Sequence, residues 1–151
     1  MLEVRKNTFS RNYENSFFRD FSRSLFNSFK ERNIEGILIG SPYCEVDERL
    51  QIDVLLITQN VVCIIDFKNY NGKIELPSGK DFDFGFWKTD TGEQIKGGSS
   101  INPFQQLKNQ KRRFTDISRK HIEKNIPQTD SFDPFHLIRI VCFQNDIELI
   151  G

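Results

Sequence analysis

Asp53, Asp66 and Lys68 are the residues whose types and spacing suit cation-assisted chemistry on a phosphate. They sit in two apolar runs, Leu50 to Thr58 and Val61 to Lys68, separated by Gln59-Asn60. That gap suits a two-residue hairpin loop, in which Asn accepts the positive φ such turns need. If Thr58 pairs with Val61, partner numbers sum to 119, which sets Asp53 opposite Asp66 and Gln51 opposite Lys68. Partners on one face stand roughly 4.5–5.5 Å apart at Cβ, and Asp66 and Lys68, two residues apart, share that face. Two carboxylates this close do not both ionise cheaply without a cation between them. A hard divalent ion held through carboxylate, water and phosphate relieves the repulsion. The lysine is then placed to orient or deprotonate a water, or to neutralise charge at a phosphate. The same three residues would also make a structural ion-pair cluster, and geometry alone weighs the two readings evenly.

Two helices bear on that choice. Phe17, Phe21, Leu25 and Phe29 recur every four residues, with Phe18 beside them, which predicts an amphipathic helix over 11–31. At 100° per residue Glu14 points within about 60° of that apolar stripe. A buried carboxylate is expensive unless paired. Glu14 is therefore either a helix-start residue that still reaches solvent and favours the dipole, or a third acid turned toward the Asp53–Asp66 pair. A later helix opens with Asn102 as N-cap, Pro103 at the first helical position and Gln105 three residues past the cap. It runs to about Ser118 and, on a longer reading, to Lys124, before Pro127 and a polar loop. It sets Gln106, Gln110 and Arg113 on one side, next to the Phe104, Leu107, Phe114, Ile117 stripe. Between Lys108 and Lys124 there are seven Lys or Arg against Asp116 and Glu123, the strongly basic stretch of the chain. Lys108, Lys111, Arg112 and Arg113 are its candidates for nucleic-acid phosphates; a solvated helix face explains the same charges.

Around these elements the spacing predicts a short strand at Ile34 to Ile39, ended by Gly40-Ser41-Pro42, and a solvated acidic loop at Glu45 to Glu48. Residues 69–101, rich in Gly, read as short strands and turns around Ile74 and Phe84 to Trp87. His136 to Phe143 reads as a buried strand. The order is helix, three strands, irregular insertion, helix, strand, with no internal repeat.

The 151 residues, 37% hydrophobic and 28% charged, describe one globular domain. A net charge of zero gives no global attraction to nucleic acid or membrane, so a polyanion must be held by a local patch. Most of the fifteen Phe belong in the core. No apolar run approaches the roughly 18–20 residues that span a bilayer, and the first residues do not resemble a signal peptide. Cys44, Cys63 and Cys142, odd in number and widely spaced, argue for a reducing, cytoplasmic setting and against a disulfide framework or a zinc site. Gly97-Gly98 lacks the lysine and the strand–helix setting of a phosphate-binding P-loop. His121 and His136 lack ligand or catalytic spacing, and no Ser or Cys lies in an elbow motif. The apolar run Ile147 to Ile150 at the end of the sequence predicts an N-terminal module of a longer protein.

The strings Gln51-Ile-Asp53-Val-Leu-Leu-Ile and Val61-Val-Cys-Ile-Ile-Asp66-Phe-Lys68-Asn-Tyr-Asn-Gly72-Lys-Ile, then Trp87, then Asn102-Pro-Phe-Gln-Gln106, resemble the nuclease-related domain family (NERD), a branch of the PD-(D/E)xK nuclease superfamily. The resemblance spans roughly residues 13 to 143, in the family's order and with its thirteen-residue step between the two acids. It implies an α/β fold with a PD-(D/E)xK nuclease-like core: helix, three-stranded meander, helix, strand, the four strands forming a mixed sheet flanked by helices. It implies catalytic roles for Asp53, Asp66, Lys68, Gln106 and Glu14, with Asp53, Asp66 and Glu14 as metal ligands and Mg²⁺ (or Mn²⁺) as cofactor. The expected activity is phosphodiester hydrolysis in DNA, and the expected neighbours in a longer chain are a helicase, kinase or other partner domain. Two positions depart from the family: Asp66 stands where Glu is usual, and Tyr13 where Gly commonly precedes the helix acid. A nucleic-acid-binding module without catalysis and a purely structural domain are the competing expectations; the intact Asp53–Asp66–Lys68 set favours the enzyme.

Overall fold

Val62 to Lys68 is the longest uninterrupted buried stretch among the described residues, every residue of it shielded from solvent. A strand apolar on both faces must be covered on both faces, and the fold is arranged around that requirement. The computed structural model describes residues 1–44, 47, 50–125 and 137–150, with side chains described as far as His121 in the last helix. In chain order the elements are β1 (Leu2–Lys6), α1 (Asn12–Glu31), β2 (Gly36–Gly40), β3 (Val54–Thr58), β4 (Val62–Lys68), β5 (Gly72–Glu75), α2 (Lys80–Phe84), β6 (Trp87–Thr89), β7 (Gln94–Ile95), α3 (Pro103–Asn125), β8 (Leu137–Phe143) and β9 (Ile147–Ile150).

A five-stranded mixed sheet runs β1-β2-β3-β4-β8. β3 and β4 are antiparallel across Gln59-Asn60, with Val54 opposite Ile65 and Ile57 opposite Val62, the register that sums to 119. β8 lies parallel on the other side of β4. One face packs Leu38, Val54, Leu56, Cys63, Ile65 and Phe67 under Phe18 and Phe29 of α1. The alternate residues Leu55, Val62, Ile64 and Leu137 pack with Leu107, and with Phe114 and Ile117, of α3. The period-2 alternation of strands and the period-3.6 stripes of the helices thus meet in two layers of core.

The expected four-stranded sheet is corrected to five strands plus a second, four-stranded sheet, β7-β6-β5-β9. β1 escapes notice because only Leu2 of its five residues is buried, among Glu3, Arg5 and Lys6. The second sheet is built from strands of two to four residues, too short to show alternation. Its core is Ile74, Trp87 and Ile95. The strand expected over Leu50 to Thr58 is ladder only from Val54, because Leu50 to Asp53 leave the sheet. Phe84 and Phe86, about 60% exposed, depart from the expectation that Phe is core. The acidic loop at Glu45 to Glu48, the loop after Pro127 and His136 lie wholly or mostly outside the described residues. No described helix is long and apolar enough to cross a membrane.

Candidate active site

β3 and β4 carry the site at the end of the hairpin away from its turn. Phe67 N–H, just past the last ladder pair, is taken by Asp53 Oδ2 at 2.8 Å. Asp53 therefore ends the ladder with its own carboxylate, while its carbonyl accepts from Ser41 N–H beyond β2 at 2.7 Å. Asp66 and Lys68 turn to the α3 side of β4. Lys68 Nζ stands 3.0 Å from Asp66 Oδ2 and donates to Gln106 Oε1 of α3 at 3.1 Å. Lys68 is buried, and the ion pair and the amide are what make that tolerable.

Asp66 is only 2% exposed. Burial, and next to it the charge of Asp53, push its carboxyl up to about 7, against the pull of the Lys68 ammonium. Its buried Oδ2 has the Lys68 ammonium 3.0 Å away as an ion pair and takes no other donor. Two carboxylates this close, buried and facing one ammonium, favour a further cation between them. Among the described residues no three of His, Cys, Asp and Glu converge as a ready-made metal cage. The candidate seat is accordingly the Asp53–Asp66 pair, leaving further positions for water and phosphate.

Glu14 is 6% exposed, which removes the solvent-reaching alternative for it. Burial and the Asp53 charge raise its carboxyl above the ordinary range, and Arg11 opposes this. Glu14 and Asp53 line one cavity of about 660 Å³ together with Asn7, Ser41, Tyr43 and Gln51. A larger cavity, about 850 Å³, opens at the turn end of the hairpin between Asn33, Gly36 and Gln59-Asn60 and holds none of the candidate residues.

α3 is fixed at its start by Asn102, which is fully buried. Asn102 Oδ1 accepts Gln105 N–H at 2.8 Å, the capping bond expected of it. Gln105 does not complete a reciprocal capping box; its side chain donates to Asp83 C=O at 2.8 Å. Asn102 Nδ2 lies within hydrogen-bonding distance of the carbonyls of Phe82, Asp83 and Gly85, so one amide binds α2 to α3. One turn on from the cap, Gln106 meets Lys68. Arg113 lines a small cavity with Gln106 and Gln110. Lys108 and Arg112 are exposed and Lys111 is half-buried, so the basic residues divide between the site side and the solvent side of α3. Gln110 donates to Gln51 C=O, anchoring the segment that leads into Asp53. The sequence placed Gln110 on the correct face, but its anchor is a backbone carbonyl 59 positions away, which no side-chain pattern announces.

The arrangement is that of a mixed α/β domain with an acid–lysine centre at a strand end. A family model described as nuclease-related domain (NERD) matches residues 12–144, and the chain belongs to that family. Neither the curated proteins nor the solved structures contain a match to this chain.

Proposed function

We propose that this domain is a metal-dependent nuclease with a PD-(D/E)xK core that hydrolyses phosphodiester bonds in DNA. The observation that carries the reading is Asp66: a buried carboxylate beside the charge of Asp53, with the Lys68 ammonium 3.0 Å from its Oδ2. Asp53 and Asp66 would hold Mg²⁺ or Mn²⁺. When bound, such an ion polarises a phosphoryl oxygen and acidifies a water.

The chain's own residues supply the remainder. Gln106 holds the Lys68 ammonium beside Asp66, where it can orient the attacking water or offset charge on the phosphate in the transition state. The Phe67 N–H holds the Asp53 carboxylate, so the acid pair is fixed before substrate arrives. Glu14, with its raised carboxyl, lines the adjoining cleft with Asp53 and, not completing a three-acid cage among the described residues, would act on the site from there.

A second reading rests on the same ion pair. An ammonium already satisfied by Asp66 and Gln106 is what a static, non-catalytic nucleic-acid-binding module would show. Calorimetric titration with Mg²⁺ and Mn²⁺, alongside cleavage of plasmid and labelled single strands, separates the two. The nuclease reading expects metal binding that Asp53→Ala and Asp66→Ala abolish, and metal-dependent cleavage. Equal metal affinity in wild type and both variants would sink it; DNA binding with no cleavage under any condition would favour the module.

A further inference from the structure

Gly97-Gly98-Ser99-Ser100, which fits no P-loop, faces α3 across a polar cavity of about 110 Å³ lined also by Gln106, Asn109, Gln110 and Arg113. Room for one water needs roughly 10–15 Å³ on this scale, so the space admits a larger polar group. The loop is pressed on the helix start: a Cβ on Gly97 would lie 2.1 Å from Asn102 O. Gly98, at φ +63°, lies in contact with α3, a Cβ there meeting Gln106 Nε2 at 3.5 Å. Gln106 thus joins this cavity to the Lys68 ammonium through its other amide atom.

Gln110 is 8% exposed and lines the cavity. Its Nε2 is committed to Gln51 C=O, which fixes the amide's orientation, since a flip would set two acceptors against each other. Its Oε1 is then a buried acceptor without a donor. Leaving such a group unsatisfied costs about 1–3 kcal/mol, and a ligand bearing an O–H or N–H relieves it. Arg113, Ser99 and Ser100 line the same cavity, the Ser100 Oγ accepting from Asn109, and a guanidinium with a serine hydroxyl suits a phosphate.

We propose that this cavity is a nucleotide subsite flanking the reaction centre, taking a phosphate at Ser99 and Arg113 and a hydrogen-bond donor of the same nucleotide at Gln110 Oε1. The donor is a sugar hydroxyl or a base amine. The proposal rests on the nuclease reading for the role of the site, but not for the binding itself.

The test is NMR titration of the metal-free full chain with three tetranucleotides: dT4, with neither a 2′-hydroxyl nor an exocyclic amine, dA4, with the amine, and rU4, with the hydroxyl. All three should shift the Gly98 and Ser99 amides. Either dA4 or rU4 should bind about two- to tenfold tighter than dT4, dA4 leading if the donor is the amine and rU4 if it is the hydroxyl. Gln110→Leu should erase that preference. Arg113→Gln, which leaves the Gln51 anchor intact, should weaken all three and lower the salt slope by about one. Unmoved loop amides, a preference that survives Gln110→Leu, or an unchanged salt slope in Arg113→Gln would overturn the subsite, and the cavity would hold water only. Loop shifts together with no cleavage in the Mg²⁺ and Mn²⁺ assays above would keep the subsite and sink the nuclease reading; metal-dependent cleavage with silent loop amides would do the reverse.

Discussion

Asp66 keeps its proton up to about pH 7, far above the ordinary carboxylate range, because burial and the Asp53 charge disfavour ionisation more than Lys68 favours it. Between the ordinary value and 7 the folded state binds a proton that the unfolded state has released. Its contribution to stability is therefore full at low pH and is lost as pH rises toward and through 7. In the metal-free protein, melting temperature should rise as pH is lowered from 8 toward 5, and Asp66→Asn should flatten the trend and raise stability at pH 8. Differential scanning calorimetry in a chelating buffer reads both; a parallel slope in the variant would mean another group titrates. Lys68 is the complementary case. Lys68→Ala should cut turnover on the order of a hundredfold or more, with a much smaller loss of DNA affinity measured in Ca²⁺. Lys68→Arg should fail to restore it, a planar fork being a poor substitute for a compact ammonium between Asp66 and Gln106. Wild-type turnover in Lys68→Ala would remove the lysine from the centre.

At the scale of the element, α3 serves three ends at once: its start is locked by Asn102, its first turns meet Lys68, and its later residues carry charge. Asn102→Ala removes a cap and strips a shared donor from three carbonyls, and should cost about 3 kcal/mol by urea unfolding. A loss below about 1 kcal/mol would mean that water replaces the amide. Replacing Lys111, Arg112 and Arg113 with Ala should weaken DNA binding and shallow its salt dependence, because fewer counterions are released; an unchanged slope would put the phosphate grip elsewhere. This helix was the most legible part of the chain, since Asn, Pro and an apolar stripe are local signals. The hairpin was equally legible as far as Val54 opposite Ile65. The expected pairing of Asp53 with Asp66 and of Gln51 with Lys68 lies beyond the ladder, where Asp53 instead takes Phe67 N–H. What sequence could not carry was the sharing of Asn102 among Phe82, Asp83 and Gly85, or the Gln110 anchor on Gln51, because a backbone carbonyl has no identity in a sequence. In the insertion, short strands around Ile74 and Trp87 were legible, whereas the five-residue helix α2 and the two-residue β7 were not, being at most barely longer than one period of their patterns.

For the whole molecule, β4 has two neighbours of very different origin. It meets β3 across a two-residue turn, but its parallel partner β8 begins 75 positions later, Val62 against Leu137. A hairpin closes in about 1–10 μs, whereas a ribosome adding about 5–20 residues per second reaches Leu137 several seconds after Val62. During that interval the hairpin that bears Asp66 is already formed, while the far edge of β4, Val-Cys-Ile-Ile, stands open. An apolar strand with a free edge is a template for a second chain. A protein truncated after Asn125 should therefore form the hairpin yet associate through that edge, with light scattering rising steeply with concentration where the full chain stays monodisperse. The strand that completes the sheet last is thus a time-delayed guard of the one that carries the acids.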